Sequence, residues 1–284
     1  MTIIWELDFY SRPIMDENKK KVWEVLLCES PTTIDADTSN LFRFAQYCPN
    51  SQVNSAWLGE MIQKAIDQAG VMPDRIRFFR QAMNNMITKA CLDVGVPCQP
   101  SRRTFGLNEW LRDRTETVYP KEQGYVAGSN ATVVFPTTPP QPLPDALRGQ
   151  QWGTVALEVS AFAEMKDWAI DFGEAYPIAP MGLSPDTLIP GMMIYTKRAL
   201  AMAAWMSGLE MASVKHDTMD GQQLVLETGV IDRWILTPLV NMPLQLEAKE
   251  FEDRKKKAGG VHFIAIQESP ESDAFTGFWL LLDR

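Results

Sequence analysis

Apolar and polar residues alternate over several short runs in the first third of the chain, and a two-residue period of this kind marks β-strands. "IIWELDFYS" and "VWEVLLCES" are two such runs, and the polar turn "DENKKK" between them predicts a hairpin. "LFRFAQYC" predicts a third strand. The period then lengthens. In "NSAWLGEMIQKAIDQAG" apolar residues recur at Trp57, Leu58, Met61, Ile62, Ala65 and Ile66. Asn54 or Ser55 can cap the start and Gly70 ends it, so a helix is predicted. "RIRFFR" reads as a short strand, "QAMNNMITKACLDVG" as a helix closed by Gly95, "VPCQPS" as an extended piece and "TFGLNEWLRDRTETVY" as a third helix. The expected order, βββ-α-β-α-β-α, is that of the ribonuclease H-like fold, an analogy of topology that licenses no activity.

The pattern breaks at "PKEQGYVAGSNATVVFPTTPPQPLPDALRGQ", residues 120–150, which holds six prolines. Proline fixes φ and removes a donor, so the stretch is read as an ordered or semi-rigid linker between an N-terminal domain, 1–119, and a C-terminal one, 151–284. A long surface loop within one domain is the alternative. In the C-terminal part "WGTVALEVSA", "GMMIYTKR", "MASVKHD", "QQLVLETGV", "VHFIAIQES" and "GFWLLLD" predict strands. "FAEMKDWAIDFG", "ALAMAAWMSGLE" and "LQLEAKEFEDRKKKAGG" predict helices. The fold class expected is α/β, of the mixed α+β kind, in two domains.

Composition narrows the function classes. With 45% apolar and 22% charged residues the chain is globular, and no apolar stretch is long enough to insert into a bilayer. "MTIIWELDFYSRP" is neither a signal peptide nor a transit peptide, so a cytoplasmic location is expected. Four cysteines without a C-x-x-C pair and only two histidines argue against zinc and for free thiols in a reducing compartment. His262, inside "VHFIAIQ", is expected to be a satisfied, partly buried histidine. No cofactor is expected.

The net charge of −9 opposes a protein that grips phosphates over its whole surface. Yet residues 73–114 carry 8 basic and 4 acidic groups, a basic island in an acidic chain. Alternation in "DRIRFFRQ" puts Arg75, Arg77 and Phe79 on one face, and Ile76, Phe78 and Arg80 on the other. Arg102 and Arg103 stand at the mouth of the next helix, and Lys89, with Arg112 and Arg114 further on, can extend the patch. Arginine forks suit phosphate oxygens and interleaved aromatics suit unstacked bases, so the island is a candidate single-stranded RNA site. The alternative is that these arginines pair with carboxylates elsewhere and that Phe78 is core.

No P-loop, dinucleotide fingerprint, nucleophile elbow or H-E-x-x-H is present. A two-metal nuclease on the ribonuclease H-like order would draw on Asp8 and Glu60, but the fourth strand ends "FFRQ" where a third carboxylate is needed. The enzyme reading is therefore disfavoured, and DNA is not an expected partner.

Several stretches together carry a resemblance: "WELDFYSRPI", "FRFAQYCPN" with "NSAWL", "DRIRFFRQAMNNMITKAC", "PSRRTFGLNEWL", "ETVYP", "TLIPGM", "AAWMSGLE", "GGVHFIAIQ" and "DAFTGFWLLLD". In this order, from Trp5 to Asp283, they resemble the TAB family of photosystem-mRNA-binding proteins, called ATAB in plants. The resemblance implies a translation activator that binds A/U-rich RNA and serves photosystem reaction-centre messages, with translation machinery or photosystem assembly factors as further partners. It also implies a role in RNA binding for the motif Gly277, Phe278, Trp279, Leu280, Leu281, Leu282 and Asp283. The start lacks the organelle-targeting extension of eukaryotic members, which work in the chloroplast stroma, so the chain is read as a cyanobacterial, cytosolic relative. An assembly scaffold acting through protein contacts is the competing reading. Alternation places Phe278, Leu280 and Leu282 on one face of the last strand and Trp279, Leu281 and Asp283 on the other, both mostly apolar. A strand buried on two sides, with a structural role, is expected.

Overall fold

Strict alternation along β1 (Ile4–Met15) organises the N-terminal half: Trp5, Leu7 and Phe9 enter one apolar core, while the buried Glu6 and Asp8 take the opposite face. In this computed structural model residues 2–128 and 138–283 are described. The chain divides into two units, Met1–Pro31 with Thr38–Phe135 and Thr32–Asp37 with Pro136–Arg284.

The first unit runs β1, β2 (Lys21–Glu29), β3 (Arg43–Cys48), α1 (Ser55–Ala69), β4 (Arg75–Phe78), α2 (Asn84–Val94), β5 (Cys98–Pro100) and α3 (Phe105–Asp113), the element order read from the sequence. Its sheet has the order β3-β2-β1-β4-β5, with β1, β2 and β3 antiparallel and β4 and β5 parallel to β1. Leu58, Ile62 and Ala65 of α1 and Ile87, Ala90 and Cys91 of α2 close over Trp5, Leu7, Phe9, Ile76 and Phe78. Asn54 caps α1, its side-chain oxygen accepting from the Trp57 N–H at 2.9 Å.

The other face is smaller and more polar. α3 lies on it through Leu107 and Trp110, which meet Leu26, Cys28 and Phe79. Thr104 precedes α3 without a side-chain cap, and Glu6 supplies one from the sheet. Its carboxylate accepts from the Leu107 N–H at 2.6 Å and from the Ser30 hydroxyl at 2.6 Å. Burial raises the Glu6 carboxyl to about 7, against the pull of those two donors and of Arg77.

The second unit runs β6 (Gln141–Pro142), β7 (Gln151–Glu158), β8 (Ile170–Glu174), β9 (Leu188–Tyr195), α4 (Ala199–Ser207), β10 (Met211–Asp217), β11 (Gln223–Thr228), β12 (Asp232–Pro238), α5 (Met242–Lys257), β13 (Val261–Gln267) and β14 (Phe275–Leu282). Two sheets form, β10-β11-β12-β6 and β7-β9-β13-β14-β8. Between them one core gathers Met192, Ile194, Ile264, Trp279 and Leu281 with Met202 and Met206 of α4, Phe251 of α5, and Val214, Leu224 and Leu226. The fold is thus a mixed α/β arrangement in two units, and among the described residues no helix is long and apolar enough to cross a membrane.

One predicted element is corrected and one was not foreseen. "FAEMKDWAIDFG" is no α-helix: Val159–Asp167 is a 3-10 segment that buries Phe162 and Met165, three residues apart. Ile170–Glu174 is then drawn into β8 because β14 offers a parallel ladder, with Ile170 opposite Phe275 and Phe172 opposite Gly277. "DRWILTP" forms the unexpected strand β12, its side chains only half-buried. Part of the proline-rich stretch is structured: Gly124 O accepts from the Met15 N–H at 2.8 Å, and Leu143 enters the second core. Residues 129–137 of it lie outside the described residues.

Glu6 makes stability depend on pH. Its folded value, about 7, lies above the ordinary 4.5, so between these values the folded chain holds a proton that the unfolded chain has released. Stability from this group is full below about pH 4.5 and falls as pH rises through 7, by an amount on the order of 3 kcal/mol. Glu6→Gln removes the titration, so its advantage over wild type, measured by urea unfolding, is expected to grow from pH 5 to pH 8. A difference that stays constant across that range would refute the assignment.

Candidate nucleic-acid interface

The basic island divides into an interior and a rim. Arg77 is 1% exposed and Phe78 0%, and Phe79, Arg80 and Arg103 are also buried. Arg75 and Arg102 are half-buried, and Lys89 is exposed on α2, paired with Asp93 at 3.0 Å. Such an exposed pair contributes little. Phe78 belongs to the core under α1 and α2 and Phe79 to the core under α3, so neither ring offers a face to a base in this conformation.

The arginines are inside because the carboxylates of β1 are inside. The β1–β4 register sets Arg77 beside Glu6 on the α3 face of the sheet. Asp8 accepts from Arg12 Nη1 at 2.8 Å and from both Nε and Nη2 of Arg80. The strand ends at Phe78, and alternation therefore no longer dictates where Arg80 points. Its guanidinium turns to Asp8 and stacks 4.0 Å from the Tyr10 ring centroid. Arg12 Nε donates to Glu24 at 2.8 Å, and Glu24 also accepts from Arg114 and from the Tyr119 hydroxyl, the latter at 2.6 Å. Burial pushes the Asp8 carboxyl up, but Arg12 and Arg80 outweigh it and hold the group below the usual carboxylate range. Arg12, Glu24 and Tyr119 escaped the sequence reading, and Arg114, read there as an extension of the basic patch, is instead turned to Glu24. The parity of Glu6, Asp8 and Arg12 along β1 was the available signal.

Asp8 and Glu60 do not converge. Asp8 lies on the α3 face, whereas Glu60 is exposed on α1, which covers the opposite face. Among the described residues no group of three or more His, Cys, Asp or Glu side chains is placed to hold a metal ion.

The closing motif occupies β14, between β13 and β8. Phe278, Leu280 and Leu281 are fully buried and Trp279 is 4% exposed. On one face Phe278 stacks on Phe263 with ring centroids 5.0 Å apart and meets Trp168 edge-on at 5.4 Å. On the other, Trp279 and Leu281 enter the core shared with α4 and α5. Gly277 admits the Trp279 ring: a Cβ there would lie 2.5 Å from it. Gly191 does the same for Phe263, at 2.0 Å. Asp283 ends the motif in ion pairs with Lys215 at 3.1 Å and Lys255 at 3.0 Å. Burial raises its carboxyl, and the two ammonium groups reverse the effect and hold it low. His262 is fully buried, Nε2 accepting from the Val214 N–H at 2.8 Å and Nδ1 donating to Gly260 O at 2.9 Å. Burial, then Lys255, depress it to about 3, so it stays neutral.

Residues 4–114 match the family model described as "RNA-binding protein Tab2/Atab2 N terminal", and residues 130–282 match "RNA-binding protein Tab2/Atab2, C-terminal domain". "Protein TAB2 homolog, chloroplastic" of Zea mays is 39% identical over 98% of this chain and 71% of its own length. The protein of the same description from Arabidopsis thaliana is 38% identical over 98% of this chain and 74% of its own. Among solved structures, the HTLV-2 integrase catalytic core domain in complex with magnesium aligns over 39% of this chain and 71% of its own at 17% identity. Its TM-score of 0.24 carries no argument about fold or activity.

The packing of β14 yields a stability prediction. Trp279→Ala removes the largest side chain of the motif from a closed core and is expected to cost about 3–5 kcal/mol. The readout is a lowered urea midpoint with an unchanged slope. A cost under about 1 kcal/mol, the range of substitutions at open surface, would contradict the burial described.

Proposed function

The chain belongs to the Tab2/Atab2 family of RNA-binding proteins, and we propose that it binds single-stranded, A/U-rich RNA without catalysis and supports translation of photosystem reaction-centre subunits. The observation that carries this reading is that two RNA-binding family models together span residues 4–114 and 130–282. The proposed phosphate contacts are the accessible members of the basic island, Arg75, Lys89 and Arg102. Arg77, Phe78, Phe79, Arg80 and Arg103 act beneath them, fixing β4, β5 and α3. Gly277, Phe278, Trp279, Leu280 and Asp283 contribute to RNA binding through the sheet they hold together. The absence of catalysis is supported by Asp8, whose oxygens are taken by two guanidinium groups where a metal-dependent nuclease needs them for the ion.

A second reading, a photosystem assembly scaffold acting through protein contacts, draws on the net charge of −9 and on Val240, Met242 and Leu246, apolar side chains exposed around the start of α5. A labelled A/U-rich strand incubated with the protein, with and without Mg²⁺, separates the readings. A slower band supports the binder, no shift the scaffold, and shortened product a nuclease.

The contacts themselves are tested by salt. Each phosphate neutralised on a single strand contributes about 0.7 to the slope of log affinity against log salt. The triple variant Arg75→Ala, Lys89→Ala, Arg102→Ala is expected to flatten that slope by about 2. An unchanged slope and affinity would move the interface away from this rim.

A further inference from the structure

Two of the four cysteines belong to one small construction. Cys91 lies in the last turn of α2, and Gly95 and Val96 fold the chain back over it, the Val96 N–H donating to Cys91 O at 3.0 Å. Pro97 O then accepts from the Ile76 N–H at 2.9 Å, which sets Cys98 beside Ile76 at the start of β5. Paired positions of neighbouring strands share a face. Cys98 therefore faces the same core as Ile76 and Cys91. Cys91 is fully buried, whereas Cys98, on the outermost strand of its sheet, is half-exposed. The two thiols are hydrogen-bonded to each other.

We propose that Cys98 and Cys91 form a thiol pair that exchanges with small disulfides of the glutathione class and closes into an intramolecular disulfide. The reading is independent of RNA. The Cys98 sulfur, as thiolate, attacks one sulfur of the incoming disulfide, and the departing thiolate leaves as a thiol after taking up a proton. The Cys91 thiol then releases its proton, its sulfur attacks that of Cys98, and the second thiol leaves. One protein dithiol and one disulfide become one protein disulfide and two thiols.

The local chemistry separates the roles. Hydrogen bonds from the Cys91 thiol and, less strongly, from the Thr88 hydroxyl hold Cys98 below the ordinary thiol range, against burial. Cys91 is pushed up by its bond to Cys98 and by burial, as suits the group that attacks second. Burial also pushes up Cys28, and raises Cys48 to about 11. Cys98 is thus the more exposed residue of the pair and the more nucleophilic one. Closure would tie the end of α2 to β5, immediately before Arg102 and α3.

The full-length protein is incubated at pH 7.5 with reduced and oxidised glutathione in varied ratio, quenched with acid, denatured and alkylated with N-ethylmaleimide. Trypsin releases Ala90–Arg102, which holds both cysteines. With increasing oxidised glutathione this peptide is expected to lose both maleimide groups and the mass of two hydrogens, while Cys28 and Cys48 stay alkylated, and dithiothreitol reverses the change. In the native protein at pH 7, Cys98 is expected to react with iodoacetamide about tenfold faster than the other cysteines. Cys91→Ala should stop the exchange at a stable glutathione adduct on Cys98. Two results overturn the proposal: maleimide on both cysteines at the most oxidising ratio, or glutathione on Cys98 with Cys91 still alkylated in the unmutated chain. The unmutated chain decides, so a poorly folded variant does not blunt the test.

Discussion

A carboxylate removed from water has to be answered by opposite charge or by donors, and in the first unit Asp8 is answered by Arg12 and Arg80 together. Much else follows from that. Arg12 is shared with Glu24, Glu24 holds Arg114 and Tyr119, and the chain after α3 is thereby fastened to β1 and β2. Removing one member would leave a buried charge unanswered, a change that typically costs about 3–5 kcal/mol. A layer of this kind adds little net stability over an apolar one. It does fix which face of the sheet α3 covers and in which position, since Glu6 in the same layer caps that helix.

The second unit repeats the device at the end of β14. Asp283 lies between Lys215 and Lys255, and Lys255 also donates to Val214 O at 2.7 Å. His262 next to them is kept neutral and serves as a backbone acceptor and donor. The middle of β14 is held by burial and by its ladders with β13 and β8, and its end by charge. The apolar run closed by Asp283 thereby has an architectural role.

Element type was legible wherever period and punctuation agreed, as in α1 with Asn54 and Gly70, or in β13, where the apolar run read as a strand. It was illegible where the partner decided the structure. Ile170–Glu174 is a strand because β14 lies next to it, and nothing within "WAIDFG" announces that. Trp234 and Leu236 alternate as a strand should, but the flanking Asp232, Arg233 and Pro238 masked the signal. The candidate site was only partly legible, for a different reason. A charge sum over residues 73–114 counts arginines without regard to direction. Direction depended on Asp8 and Glu24, far away in sequence, so a patch on paper became mostly an interior, leaving a rim of Arg75, Lys89 and Arg102. The parity of Asp8 and Arg12 was readable, but only once both were known to lie under a helix.

The close seating of the Phe263 and Trp279 rings on Gly191 and Gly277 reaches beyond local packing. A ring that lies against a backbone and a residue without a side chain make up one volume between them, so neither position is free to vary alone. A methyl at 191 fits only with something smaller than phenylalanine at 263, its neighbour across the ladder. The inner strands of this sheet thus have a vocabulary of pairs in place of single residues. Change at either position would have to pass by joint replacement. A motif can be held constant by geometry as firmly as by a ligand.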